Sequence, residues 1–308
     1  MKVDHAIGLL GCGIWGEKIL RDLRSLSVPV HVIDPHESAQ ERAMALGAAT
    51  VCASLEGLPE VSGIVIASPA VTHAEMIEGV LPRAIPILCE KPLTTDVRSA
   101  RRVVAAAGSR LYVGHIWCYH PGIEALREVA RSGELGPVHG VRTTRTNWTS
   151  PRTDVDSTWN LAPHDVAIAL FLLDRLPEPR FAMVERDAGG RSVGMVGIMG
   201  GAAPLDPWAV FEVSNRFREK RREVRLHCRD GVAVLPDGES PAIELTRSGE
   251  EGGAELESRA VPSESALLRE LRAFLAHLAG GPPPRSDGAE GLLVVETVAR
   301  LRELAGVE

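Results

Sequence analysis

The chain has 308 residues, 44% hydrophobic and 24% charged, and a formal net charge of −7. That length exceeds what one compact core usually absorbs, so two domains are expected, and the composition excludes long disordered tails. The negative charge excludes a long-range field that would gather nucleic acid or an anionic membrane surface.

Five cysteines (Cys12, Cys52, Cys89, Cys118, Cys228) occur without a CxxC pair, neither a zinc spacing nor a disulfide framework, and fit a reducing cytoplasm. The N-terminus enters an apolar strand with no small-residue cleavage site and reads as no signal peptide. The longest apolar stretches, such as 167–173, are too short to span a bilayer.

From the N-terminus, apolar runs at 6–10, 28–34, 63–68, 85–90 and 111–115 alternate with helical patterns such as 16–26, 72–80 and 96–107, the texture of βαβ units. Runs such as Ile64-Val65-Ile66-Ala67 are continuous rather than alternating, as in buried parallel strands. After a helical segment at 123–132 come strand-like stretches at 138–148, 181–186, 208–214 and 223–228. Arg216-Phe217-Arg218-Glu219-Lys220-Arg221-Arg222 reads as a solvated turn between two of these strands. An amphipathic helix carries Leu267, Leu268, Leu271, Phe274, Leu275 and Leu278, Gly280-Gly281-Pro282-Pro283-Pro284 stops it, and a last helix covers 289–304.

The expected fold class is α/β: an N-terminal Rossmann domain with a doubly wound parallel sheet (1–118), then an α+β domain with an open, mostly antiparallel sheet (119–308). Gly11-Cys12-Gly13-Ile14-Trp15-Gly16 follows the first strand and opens a helix, the context that gives GxGxxG its meaning. Gly11 permits a tight turn, Gly13 lets backbone approach a pyrophosphate, and Gly16 lets helix and strand pack closely. Asp34 ends the second strand, where an acid bonds the adenosine ribose and repels a 2′-phosphate, so NAD is expected over NADP; the alternative is a turn aspartate before Pro35. His36 would soften that preference.

Cys89-Glu90-Lys91-Pro92 ends another strand at the sheet's carboxyl edge, where ligands of open α/β sheets bind. With Ser68-Pro69, Thr72-His73, Gly114-His115 and Trp159-Asn160-Leu161-Ala162-Pro163-His164-Asp165, it resembles the glucose-fructose oxidoreductase / inositol dehydrogenase / MocA family over nearly the whole chain. The stretch 114–165, with Tyr119-His120-Pro121 and Ser132-Gly133-Glu134-Leu135-Gly136, resembles in particular the dehydrogenases of nucleotide-linked sugars and uronic acids.

The resemblance implies an NAD-dependent sugar dehydrogenase whose second domain covers the substrate and often mediates homo-oligomers. It maps the family's catalytic lysine onto Lys91 and its histidine onto His164; Ile14, Trp15, Ser68, Pro69, His73, Glu90 and Lys91 join the glycines and Asp34 as cofactor residues. The family's acid position is Asn160, whose amide can orient a hydroxyl but accepts no proton, so His164 is the expected general base. Asp165 either orients His164 or caps its helix, capping being preferred.

Tyr119 is a candidate substrate contact or a packing residue. Arg142, Arg145 and Arg152 are candidates for a substrate phosphate or carboxylate, solvated strand-face arginines being the alternative. The histidines form no metal spacing, and no metal is expected. A free polyol or other small carbonyl substrate, and a non-catalytic NAD-binding regulator, are the rival readings.

Overall fold

A computed structural model describes residues 5–149, 154–201, 203, 206–248 and 254–307. The chain divides into two compact units, 1–116 with 265–295 and 117–264 with 296–308.

The first unit begins with β1 (Ile7–Leu10), α1 (Ile14–Ser25), β2 (Val30–Ile33), α2 (Glu37–Ala45) and β3 (Thr50–Cys52). β4 (Gly63–Ile66), α3 (His73–Val80), β5 (Ile87–Glu90), α4 (Val97–Ala107) and β6 (Leu111–Gly114) follow. The strands are parallel in the order β3-β2-β1-β4-β5-β6, the doubly wound arrangement whose order reverses between β1 and β4. All residues of β1, β4, β5 and β6 are buried, which is why they read as unbroken apolar runs. Helix α1 buries Gly16, Ile19, Leu20 and Leu23, one face at helical spacing.

The second unit holds α5 (Pro121–Ser132), β7 (Val138–Trp148), α6 (Ser157–Leu173), β8 (Pro179–Arg186), β9 (Ser192–Gly200) and β10 (Trp208–Ser214). It continues through β11 (Arg216–Cys228), β12 (Gly231–Leu235), β13 (Ala242–Ser248) and β14 (Ala254–Ala260). These strands form one sheet, β14-β13-β12-β11-β7-β10-β9-β8, antiparallel except for β7 beside β10. One face packs Val141, Val224, Leu226, Leu235 and Leu245 against Ile123 and Leu126 of α5 and Ile168 and Leu172 of α6. Phe181, Met183, Ile198 and Phe217 remain exposed on this sheet.

Two close pairings explain two of the glycines of this sheet. Gly140 stands opposite Trp208, and Gly197 opposite Phe211; a Cβ at either glycine would collide with the facing ring. The basic run 216–222 lies within β11 instead of forming a turn. A register shift between Arg216 and Arg221 lets this long strand bend while it stays paired to β7.

Helix α7 (Ala266–Leu278) belongs to the first unit, and α8 (Gly288–Leu304) begins there and ends in the second. This division differs from a single cut after residue 118 because Leu267, Leu271, Phe274 and Leu275 of α7 join Ile19, Leu20 and Leu23 of α1 in one apolar cluster.

The same helix buries Glu270, 1% exposed, with neither carboxyl oxygen hydrogen-bonded among the described residues. Burial, then the charge of Glu90, push its pKa well above the usual carboxylate range, so it is held protonated. In the unfolded chain the group ionises near pH 4.3, so with rising pH the unfolded state gains a stabilisation that the folded state lacks. Urea unfolding of Glu270→Gln and wild type at pH 5 and pH 8 is expected to show the variant gaining relative stability at the higher pH. An unchanged difference would mean that Glu270 is ionised in the fold.

Candidate functional site

Residues 11–13 connect β1 to the first turn of α1 beside the first residues after β4, where the sheet order reverses. Gly11 has φ +91°, and a Cβ there would come 2.7 Å from Ser68 Cα. A Cβ at Gly16 would strike the Gly11 carbonyl oxygen, whereas one at Gly13 would meet nothing within 4 Å. Gly13 is also the N-cap of α1 with no side-chain cap, which leaves first-turn N–H groups for an external acceptor. Open space at Gly13 and these donors fit a dinucleotide pyrophosphate. Ile14, 84% exposed, and half-buried Trp15 follow directly.

Asp34, just after β2, is tied to this loop. Its Oδ2 accepts the Cys12 backbone N–H at 2.8 Å, while Oδ1 accepts the His36 backbone N–H at 3.0 Å and lies 3.0 Å from His36 Nδ1. Burial alone would raise its pKa, but these hydrogen bonds outweigh it and hold the carboxyl below its ordinary value. The result is a fixed carboxylate with acceptor capacity left for ribose hydroxyls.

At the end of β5, Trp15 donates its indole N–H to Glu90 Oε1 at 2.5 Å, and Glu90 Oε2 accepts the Lys91 backbone N–H at 3.2 Å. The glycine-loop helix and the Glu-Lys-Pro segment are thereby linked through one carboxylate. A Cβ at Gly114 would come 3.1 Å from Glu90 Oε1, so β6 supplies the space Glu90 needs.

Half-buried Lys91 lies near His115, whose pKa burial, and secondarily the Lys91 charge, lower to about 3; His115 is therefore neutral, its Nδ1 3.1 Å from Ser286 Oγ. His73 is 1% exposed, with Nδ1 2.8 Å from Pro92 O and Nε2 3.0 Å from Ser68 O. It joins the loops after β4 and β5 and positions both. Ser68 is half-buried, and Pro69 is exposed beside it.

In the second unit, Asp156 caps α6 by accepting from the Thr158 and Trp159 backbone N–H groups. Arg302 of α8 holds the cap, donating Nη1 to Asp156 Oδ2 at 2.7 Å and to Thr158 Oγ1. Within α6, Asn160 and His164 are one turn apart and partly exposed, whereas Leu161, Ala162, Pro163 and Asp165 are buried. The helix thus places the amide and the imidazole on one accessible stripe.

Asp165 is no cap. It lies in the middle of α6 and takes Arg145 Nε at 2.7 Å and Nη2 at 3.4 Å, both side chains almost wholly buried. Arg145 is therefore neither a solvated strand arginine nor available to a substrate anion. Arg142 is exposed on β7, Tyr119 is 4% exposed, and Arg152 lies outside the described residues. Sequence reading missed Arg302, Trp117 and Glu270; the Arg302 contact is 146 positions distant from its partner, beyond any local signal. Among the described residues no group of three or more His, Cys, Asp or Glu is placed to hold a metal, and no helix is long and apolar enough to cross a membrane.

The six-stranded order and glycine loop define an NAD-binding Rossmann protein. A profile of the glucose-fructose oxidoreductase / inositol dehydrogenase / MocA oxidoreductases, described as an NAD-binding Rossmann fold, matches residues 5–115 of the chain. Inositol 2-dehydrogenase of Mycolicibacterium smegmatis is 31% identical over 185 residues, 56% of this chain and 53% of that enzyme, so the chain matches about half the length of such relatives. UDP-N-acetylglucosamine 3-dehydrogenase of Acidithiobacillus ferrooxidans is 26% identical over 316 residues, 96% of this chain and 95% of that enzyme.

Among solved structures, UDP-N-acetylglucosamine 3-dehydrogenase GnnA from Acidithiobacillus ferrooxidans superposes with a TM-score of 0.85 at 24% identity, covering 97% of both chains. Levoglucosan dehydrogenase in complex with NADH and levoglucosan gives 0.86 at 15% identity, covering 98% of this chain and 97% of its own. These two likenesses establish the fold.

Asp34→Ala is expected to weaken NAD binding about 10- to 100-fold, the worth of hydrogen bonds to a charged acceptor, and to change NADP binding far less. Calorimetric titration with both cofactors checks this; equal weakening of the two would remove the ribose assignment.

Proposed function

We propose that the protein is an NAD-dependent dehydrogenase that oxidises a secondary alcohol of a nucleotide-linked sugar or reduces the corresponding ketone. The accessible Asn160–His164 stripe on α6 carries this reading, together with Lys91 at the end of β5. A sensor needs NAD but has no use for a base and a cation of this kind. Bound nicotinamide supplies the hydride acceptor or donor.

His164 takes the proton of the substrate hydroxyl, or returns it in the reverse direction. Lys91 is assigned to stabilising negative charge that develops on a substrate oxygen, and Asn160 to orienting a hydroxyl by hydrogen bonding without exchanging a proton. Trp15 and Glu90 hold the cofactor loop and the Lys91 segment together, so that Lys91 keeps a fixed position relative to the cofactor residues.

Similarity to UDP-N-acetylglucosamine 3-dehydrogenase over almost the full length of both chains favours a nucleotide-linked sugar. A free polyol is the second reading, supported by the inositol dehydrogenases over a shorter stretch. Exposed Phe181, Met183, Ile198 and Phe217 on the second unit's sheet favour a homo-oligomer. The free cysteines are compatible with a reducing cytoplasm.

The test is NADH absorbance with UDP-N-acetylglucosamine, other sugar nucleotides and inositol as substrates. Turnover of a sugar nucleotide is expected, with Lys91→Ala and His164→Ala each lowering kcat by a factor on the order of 100 or more. Undiminished turnover in both variants would remove the catalytic assignment.

A further inference from the structure

The basic run of β11 contains one arginine unlike its neighbours. Lys220 and Arg221 are exposed and pair with carboxylates, Lys220 with Glu239 and Arg221 with the half-buried Glu223, as expected for solvated cations. Arg222 is half-buried and stands directly opposite Arg145 across β11 and β7, so both side chains share one sheet face.

The two guanidinium groups differ in their partners. That of Arg145 is neutralised by Asp165 and lies 4.4 Å from the centre of the Trp117 ring. Among the described residues, that of Arg222 donates to neutral acceptors alone, Nη1 reaching the Thr146 and Arg221 carbonyl oxygens at 2.7 Å each. Asp237 takes the Arg222 backbone N–H at 3.1 Å, not the guanidinium. Two arginines therefore share one directly bonded carboxylate.

The surroundings are fixed. Trp117 stacks on His120 at 5.0 Å, His120 Nε2 lies 2.8 Å from Gly238 O, and a Cβ at Gly238 would come 2.8 Å from Trp117 and 3.5 Å from Arg222 Cβ. Burial, then repulsion from Arg145, lower the Arg222 pKa to about 10 against the opposing pull of Asp165 and Asp237, so it stays charged near neutrality. A half-buried cation with spare donors and no carboxylate bonded to it among the described residues favours an anion able to accept a fork of hydrogen bonds.

We propose that Arg222 is the anion-recognition residue of the second unit and binds phosphate oxygens of a diphosphate-bearing substrate. The choice of phosphate rests on the nucleotide-sugar reading above. The anion role itself rests on the contrast between Arg145 and Arg222.

The experiment titrates the NADH-saturated protein, in which cofactor occupies the glycine loop, with inorganic pyrophosphate and with UDP. Both are expected to bind. Arg222→Gln should weaken both by on the order of tenfold or more, Arg222→Lys should fall between by keeping the charge without the fork, and Lys220→Gln should leave both unchanged. Loss of binding in Lys220→Gln equal to that in Arg222→Gln, no binding by wild type, or an Arg222→Gln affinity within twofold of wild type overturns the proposal.

Turnover separates this from the parent reading. If a sugar nucleotide is turned over with the same KM by wild type and Arg222→Gln, the anion role fails while the dehydrogenase stands. If only free polyols are turned over but pyrophosphate binding still requires Arg222, the nucleotide-sugar reading fails and the anion site stands.

Discussion

A side chain at Gly16 would strike the carbonyl oxygen of Gly11, and one at Gly11 would press on Ser68, so β1, α1 and the loop after β4 meet closely only because both Cβ atoms are missing. The close approach fixes the start of α1 at the point where the sheet order reverses. Around it, Asp34 bonds the loop through the Cys12 N–H, and Trp15 reaches Glu90 at the end of β5. Glu90 in turn holds the Lys91 N–H, and His73 joins Ser68 to Pro92. The residues assigned to cofactor binding thus form one connected polar network on apolar strands.

The second unit positions its side chains by charge pairing. Arg302 and Asp156 fix the first turn of α6, and Arg145 with Asp165 fixes its middle. Breaking a pair as buried as Arg145–Asp165 costs about 3–5 kcal/mol because the remaining charge is stranded. The rigid helix between these anchors carries Asn160 and His164. In the proposed reaction Asn160 orients a hydroxyl and proton transfer is assigned to His164.

The first unit was legible because its signals are local. Buried parallel strands give continuous apolar runs, and the glycine loop with Asp34 falls within one βαβ segment. Much of the second sheet was not. Glycines in β9 weaken the strand pattern although Gly197 is required opposite Phe211, and β13 and β14 carry charges at a density that obscures alternation. The run 216–222 read as a turn because its exposed charges mask a strand that is paired on one side. Asp165 read as a cap because its partner, Arg145, lies on a different element; spacing alone does not reveal that pair. Glu270 gave no sign of burial beyond its place on an apolar helix face.

The central claim is that the space at Gly13 belongs to a dinucleotide pyrophosphate. Gly13 has ordinary extended backbone angles, and a Cβ there meets nothing within 4 Å, so Gly13→Val is expected to fold while filling that space. Calorimetric titration of this variant with NAD, beside its thermal unfolding midpoint, tests the claim directly. The account predicts a folded variant whose midpoint falls only by the small cost of replacing a glycine cap, and loss of NAD binding; wild-type NAD affinity in a folded Gly13→Val protein would contradict it.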